Sequence, residues 1–252
     1  MKLAQQTILI TGGTSGIGRE LARVLVLRGN VVIITGRDAD RLRATLDAFP
    51  GLHGFQSDLA DSAAIARLYQ DVTTRFPKLS VLINNAGIMR NIDLLEPRSL
   101  TDLTTEIAIG LSGPIQMAQQ FLPHLRAQRD AAIVNVTSGL AFIPMPISPI
   151  YCAAKAGLHS YTQSLRAQLA GSTVAVYEIA PPGVETLCFA IHPADGTART
   201  LWRRCLDRAR EADRLPQSVS LALASGTSEL ALETTCEAGC GEGMGGYWAP
   251  PP

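Results

Sequence analysis

The sequence is short of charge imbalance, of cysteine and of long apolar runs. Its 22 basic and 22 acidic residues cancel to a formal net charge of zero. No basic run offers a nucleic-acid contact, and no basic amphipathic stretch offers a membrane surface. The apolar runs break well before the ~18 residues of a spanning helix, so no transmembrane segment is expected. Residues 1–7 lead straight into a strand pattern and do not read as a secretory signal. There are five cysteines: Cys152, Cys188, Cys205, Cys236 and Cys240. An odd count in a chain of this size reads as reduced thiols of a cytoplasmic protein, not as a disulfide framework. Cys236 and Cys240 are joined by neither a second cysteine pair nor a histidine cluster, so no metal site is expected. No internal repeat is visible.

What is present is a core. The 252 residues are 46% hydrophobic, enough for one large α/β domain. Strand patterns fall at residues 7–11, 31–35, 54–56, 80–84, 132–138 and 173–179. Helical spacing falls between them at 15–28, 40–49, 61–75, 99–128 and 150–169, with Pro114 and Pro123 expected to bend the long helix. Such alternation implies a Rossmann-type, doubly wound parallel sheet flanked by helices. Residues 1–190 are expected to carry the dinucleotide-binding and catalytic core. Residues 191–252 are expected to form a substrate-loop region and an atypical, irregular C-terminal tail of the same domain. There, 201–210 has helical spacing and 218–233 has no clear caps. The stretch 239–252 is glycine- and proline-rich, and no seventh strand is evident.

Two clusters carry chemistry. Gly12, Gly16 and Gly18, with Thr14, Ser15 and Ile17 between them, join the first strand to the first helix. A tight turn opening a helix lets backbone N–H groups and the helix dipole meet a pyrophosphate. At the end of the second strand stands Arg37, which can pair with a 2′-phosphate, so NADP is favoured over NAD. Asp38 follows at once and argues the other way. Asp58 offers an acceptor for an adenine amino group or a cap for the next turn. The second cluster is Tyr151 and Lys155, four residues apart on a helical pattern and so on one face. A neighbouring cation favours the phenolate and makes the phenol a usable proton donor.

These residues resemble the classical short-chain dehydrogenase/reductase family. The resemblance spans roughly residues 5–190. It rests on Thr11-Gly12-x-x-x-Gly16-x-Gly18, on Asn84-Asn85-Ala86-Gly87, on Ser138 thirteen residues before Tyr151, on Tyr151-x-x-x-Lys155, and on Pro182-Gly183-Val184-Glu185-Thr186. It implies that Tyr151 is the general acid or base. It implies that Lys155 tunes the phenol and holds the nicotinamide ribose, and that Ser138 donates to the substrate oxygen. Leu59, Asn85, Ala86 and Gly87 would line the adenosine side. Pro182, Gly183, Val184 and Thr186 would lie along the nicotinamide. The family also implies pairing into homodimers or homotetramers, for which Ile107, Leu111 and Ile115 provide an apolar face.

One position departs from the family. Gly110 stands where an asparagine normally holds a water of the proton relay, and glycine offers no side chain for it. The leading expectation is an NADP-dependent oxidoreductase interconverting a carbonyl and an alcohol. The alternative is an NADP-binding sensor or scaffold with impaired turnover. The substrate pocket is expected between Ser138, the 140–148 loop and the 184–206 segment. Leu140, Phe142, Ile143, Met145 and Ile147 fit a small apolar carbonyl or alcohol. His159 reads as a core or interface residue.

Overall fold

A computed structural model describes residues 4–181. The elements run β1 (Thr7–Ile10), α1 (Gly16–Leu27), β2 (Val31–Gly36), α2 (Ala39–Ala48), β3 (Leu52–Gln56), α3 (Ser62–Arg75) and β4 (Leu79–Asn84). They continue with α4 (Leu100–Ile107), α5 (Gly113–Arg126), β5 (Ala131–Val136), α6 (Pro149–Gln168) and β6 (Val174–Ile179). All strand pairs are parallel, in the order β3-β2-β1-β4-β5-β6. This is the expected doubly wound α/β sheet. Its order reverses between β1 and β4, and ligands of such sheets bind at the carboxyl edge of that crevice.

The sheet is apolar on both faces, because helices cover both. Alternate strand residues Leu9, Ile33, Leu82 and Ile133 pack with Ile65, Met117, Phe121 and Leu125 of α3 and α5. Their neighbours Ile8, Ile34, Ile83 and Val134 pack with Ala22, Leu25 and Leu42 of α1 and α2. Period-two alternation therefore sorts residues between two cores, not between core and water. Asp38 and Asp61 cap α2 and α3, each side chain accepting a backbone N–H. Strand β3 starts two residues earlier than its sequence pattern indicates. Pairing with β2 from Leu52 onward supplies backbone bonds that its weak apolar pattern does not announce.

The long helix expected at 99–128 is a correction. The chain forms α4 and α5 with a π-turn, Ala108–Ser112, between them. Gly113 N–H donates to the Ala108 carbonyl in the wider i→i+5 pattern. Pro114 has no N–H for an i→i−4 bond to Gly110, which favours the widened turn. The break in register lies before Pro114, not at it, and Pro123 is carried inside α5. A 3₁₀ turn, Gly139–Ala141, also follows β5 where the sequence shows no regular element. The expectations for 201–210, 218–233 and 239–252 lie outside the described residues, as does the absent seventh strand.

A polar chain runs through the buried seam that carries these pieces. Asn84 Nδ2 donates to Asn135 Oδ1 at 2.9 Å, and Asn135 Nδ2 donates to Thr162 Oγ1 at 2.8 Å. Both asparagines are at most 1% exposed. The chain ties β4, β5 and α6 in one register, because a buried amide left unpaired is destabilising. Asn135→Leu should therefore lower stability by about 2–4 kcal/mol, read from urea unfolding. A loss under 0.5 kcal/mol would show the chain to be dispensable.

Candidate active site

The carboxyl edges of β1, β2, β4 and β5 open into one cavity of about 560 Å³. At one end lies the glycine turn. Gly12 and Gly16 take positive φ of 66° and 53°, which glycine adopts without strain. A Cβ on Gly18 would lie against the Gly12 carbonyl and Asn85 Nδ2, so the turn also needs glycine for close packing. Asn85 holds the turn from β4, its Nδ2 donating to the carbonyls of Thr11 and Gly12 at 3.0 and 3.2 Å. Thr11 Oγ1 in return accepts from the N–H groups of Asn85 and Ala86. Ser15 precedes α1 without a side-chain cap, leaving the first-turn N–H groups facing the cavity. Thr14, Gly16, Ile17 and Gly18 line the same wall.

Arg37, Asp58 and Leu59 line the cavity beyond β2 and β3. Two residues there went unnoticed in the sequence. Arg41, one helical turn after Arg37, lines the cavity too, and the i,i+4 spacing could have shown it. Ser57 Oγ is buried with no partner among the described residues. Asp38 lines the cavity beside the two arginines and also caps α2. Its Oδ1 accepts from Arg41 N–H at 2.9 Å, and that bond holds its carboxyl below the usual range.

At the far end stand Ser138, Tyr151 and Lys155, with Asn85, Ala86 and Gly87 between them and the glycine turn. Lys155 is 3% exposed. Its Nζ donates to the Val136 carbonyl at 2.7 Å and lies 5.7 Å from the centre of the Tyr151 ring. Ser138 Oγ accepts from Leu140 N–H at 3.1 Å. That contact uses a lone pair and leaves the hydroxyl proton for another acceptor. Of the loop residues expected in the substrate pocket, Leu140 and Met145 line the cavity and pack with Met89, Cys152 and Tyr151. Phe142 packs on His159 instead, and Ile147 is 38% exposed. Pro182, Gly183, Val184 and Thr186, like the rest of 184–206, lie outside the described residues.

Gly110 is buried in the π-turn. A Cβ there would meet only the Ala154 methyl, at an ordinary 3.5 Å, so a larger side chain is not excluded by its first atom. One turn earlier, Glu106 is 1% exposed. Its Oε1 accepts from Arg90 N–H at 2.9 Å, and the Arg90 guanidinium bonds Asp102 at 2.6 Å. Arg90 and Met89 line the cavity, so this acid fixes part of its wall. Nothing in the spacing of the sequence pointed to that cluster.

These features fit a dinucleotide: a free helix N-terminus, a glycine turn, cations at the ribose end and an orphaned serine. The comparisons agree. The short chain dehydrogenase family model matches residues 6–193, and the chain belongs to that family. It is 46% identical over 187 residues to the uncharacterized oxidoreductase DltE of Bacillus subtilis (strain 168), covering 74% of each chain. A metagenomic short-chain oxidoreductase solved with NADP superposes with a TM-score of 0.66 at 30% identity, covering 72% of this chain and 84% of that one. A 3-ketoacyl-(acyl-carrier-protein) reductase from Brucella melitensis, solved with NADH, gives 0.71 at 25% identity, covering 75% and 80%. The protein is thus an oxidoreductase that interconverts carbonyl and alcohol groups with a nicotinamide coenzyme. Among the described residues no helix is long and apolar enough to cross a membrane, and no cluster of His, Cys, Asp or Glu could hold a metal.

Burial pushes the Glu106 carboxyl above its ordinary value of 4.5, against the pull of Arg90. The folded chain then binds that proton more tightly than the unfolded chain. Its stabilising effect is complete below the ordinary carboxylate range and is lost as pH rises through the raised value. Melting curves should show wild type losing Tm relative to Glu106→Gln as pH climbs from 4.5 to neutrality. A pH-independent difference would mean that this carboxyl does not titrate there.

Proposed function

We propose that the chain is an NADP-preferring reductase of small apolar carbonyl compounds, with Tyr151 as general acid in reduction and general base in oxidation. The observation that carries this reading is the buried Lys155 ammonium beneath the Tyr151 ring, held to the Val136 carbonyl. The bound coenzyme supplies or accepts the hydride. Tyr151 Oη gives its proton to the carbonyl oxygen as that oxygen becomes an alkoxide. Ser138 donates its free hydroxyl proton to the same oxygen and stabilises the developing charge. Lys155 favours the phenolate left behind and would hold the nicotinamide ribose of a bound coenzyme. Asn85, Ala86 and Gly87 steady the adenosine half, with Asp58 and Leu59 at the base. Pro182, Gly183, Val184 and Thr186 are assigned to the nicotinamide end from the motif alone.

The substrate side is floored by Met89, Leu140 and Met145, which favours an apolar group beside the reacting carbonyl. The α4–α5 rod and α6 are the assigned face for a homodimer or homotetramer, and Ile107, Leu111 and Ile115 along that rod are half-buried. The odd cysteine count in a chain of this size supports a cytoplasmic location.

NADPH oxidation against a panel of ketones, aldehydes and quinones tests the chemistry. Tyr151→Phe should lose at least about 10²-fold in kcat. Gly110→Asn should stay within a few-fold of wild type if a backbone-held water already serves the relay. Turnover seen only in Gly110→Asn would favour the sensor or scaffold reading. The coenzyme preference rests on Arg37 and Arg41 at the cavity wall and on Asp38 being engaged as a helix cap. Arg37→Ala with Arg41→Ala should raise the Kd for NADPH about tenfold or more and leave that for NADH nearly unchanged. Equal effects on both coenzymes would refute the preference.

A further inference from the structure

Tyr151, Lys155 and His159 recur every four residues along α6 and share one face. The third has no part in the chemistry above, yet it is the centre of a bonded chain. His159 Nδ1 lies 2.9 and 3.0 Å from the two carboxylate oxygens of Glu178 on β6. Thr137 Oγ1 donates to Glu178 Oε1, the nearer of the two, at 2.7 Å. On its other side His159 Nε2 meets the Gln163 amide nitrogen at 3.0 Å. With that amide nitrogen as donor, Nε2 accepts and Nδ1–H is the donor to Glu178. The imidazole also stands edge-on against the Phe142 ring, with centroids 4.6 Å apart.

These partners bracket Ser138. Thr137 is the residue before it. Phe142 follows the Gly139–Ala141 turn that Ser138 caps. Neither His159 nor Glu178 lines the cavity. We propose that His159 and Glu178 are positioning residues: they hold Thr137 from the strand side and Phe142 from the loop side, and so fix the Ser138 hydroxyl relative to Tyr151. This assignment rests on the role given to Ser138 above. Thr137 donates to Oε1 and Nδ1–H is shared between Oε1 and Oε2, so one acceptor oxygen at Oε1 can serve both donors without a full negative charge. A small error in placing a hydrogen-bond donor is felt in the transition state more than in ground-state binding.

The test compares wild type with Glu178→Leu, His159→Leu, the double variant and Glu178→Gln. It uses a carbonyl compound reduced by wild type and measures kcat, KM, NADPH affinity by fluorescence, and Tm. Each leucine variant should lose about tenfold in kcat while NADPH Kd stays within about twofold. The double variant should be no slower than the worse single variant, because the pair acts as one unit. Glu178→Gln, which keeps an oxygen for both donors, should restore most of the loss. Leucine variants as fast as wild type, a Glu178→Gln as slow as Glu178→Leu, or NADPH affinity lost in step with kcat would each overturn the assignment. A wild type that binds NADPH but reduces no carbonyl would instead bring down the role of Ser138, and this assignment with it.

Discussion

An ammonium group nearly out of water must be met by oxygen, or it sheds its charge or unfolds its surroundings. Lys155 is in that position, and the Val136 carbonyl meets it. That bond joins the Asn135–Thr162 bond in holding α6 against β5. The rest of the site follows from it. Tyr151 stands one turn earlier on the same helix face, and Ser138 lies two residues past the accepting carbonyl. The sheet then only has to bring the glycine turn of β1 to the same edge. Parallel pairing does so through the β1–β4–β5 order.

The walls of the cavity are kept by polar groups that never touch its contents. Asn84, Asn135 and Thr162 lock β4, β5 and α6 together from within. Glu106 and Asp102 hold Arg90 at the rim from α4. In each case a group that looks chemically active is engaged in holding neighbouring segments together.

The fold was legible because period and punctuation agree. Every strand but β3 is a short apolar run between turn residues, and Asp38, Asp61 and Ser99 stand at helix starts where they can cap. The candidate site was legible where chemistry imposes local spacing, as in Tyr151 to Lys155 or Gly12 to Gly18. The expected catalytic and coenzyme-binding residues among those described line one cavity, whereas Phe142, Ile143 and Ile147 of the expected substrate loop do not. What the sequence did not reveal depends on contacts between distant segments. Arg90 finds Glu106 across sixteen positions, and His159 finds Glu178 across nineteen. No periodicity encodes such pairs. The π-turn was hidden for another reason: the run Ala-Ile-Gly-Leu-Ser does not announce how many of its residues share one turn.

That turn has a consequence for the whole α4–α5 rod. One extra residue taken up without extra rotation re-phases everything downstream by about 100°. The buried acid of α4 and the buried apolar stripe of α5 therefore belong to two different helical registers joined end to end. Removing one residue from 108–112 would bring α4 and α5 into one register, with the missing N–H of Pro114 still inside the rod. The stripe of Met117, Phe121 and Leu125 would keep its seat in the core, and α4 would have to swivel to compensate. Glu106 would then leave the loop it anchors. The irregularity is a hinge in phase, and it lets one rod serve the core and the cavity rim together.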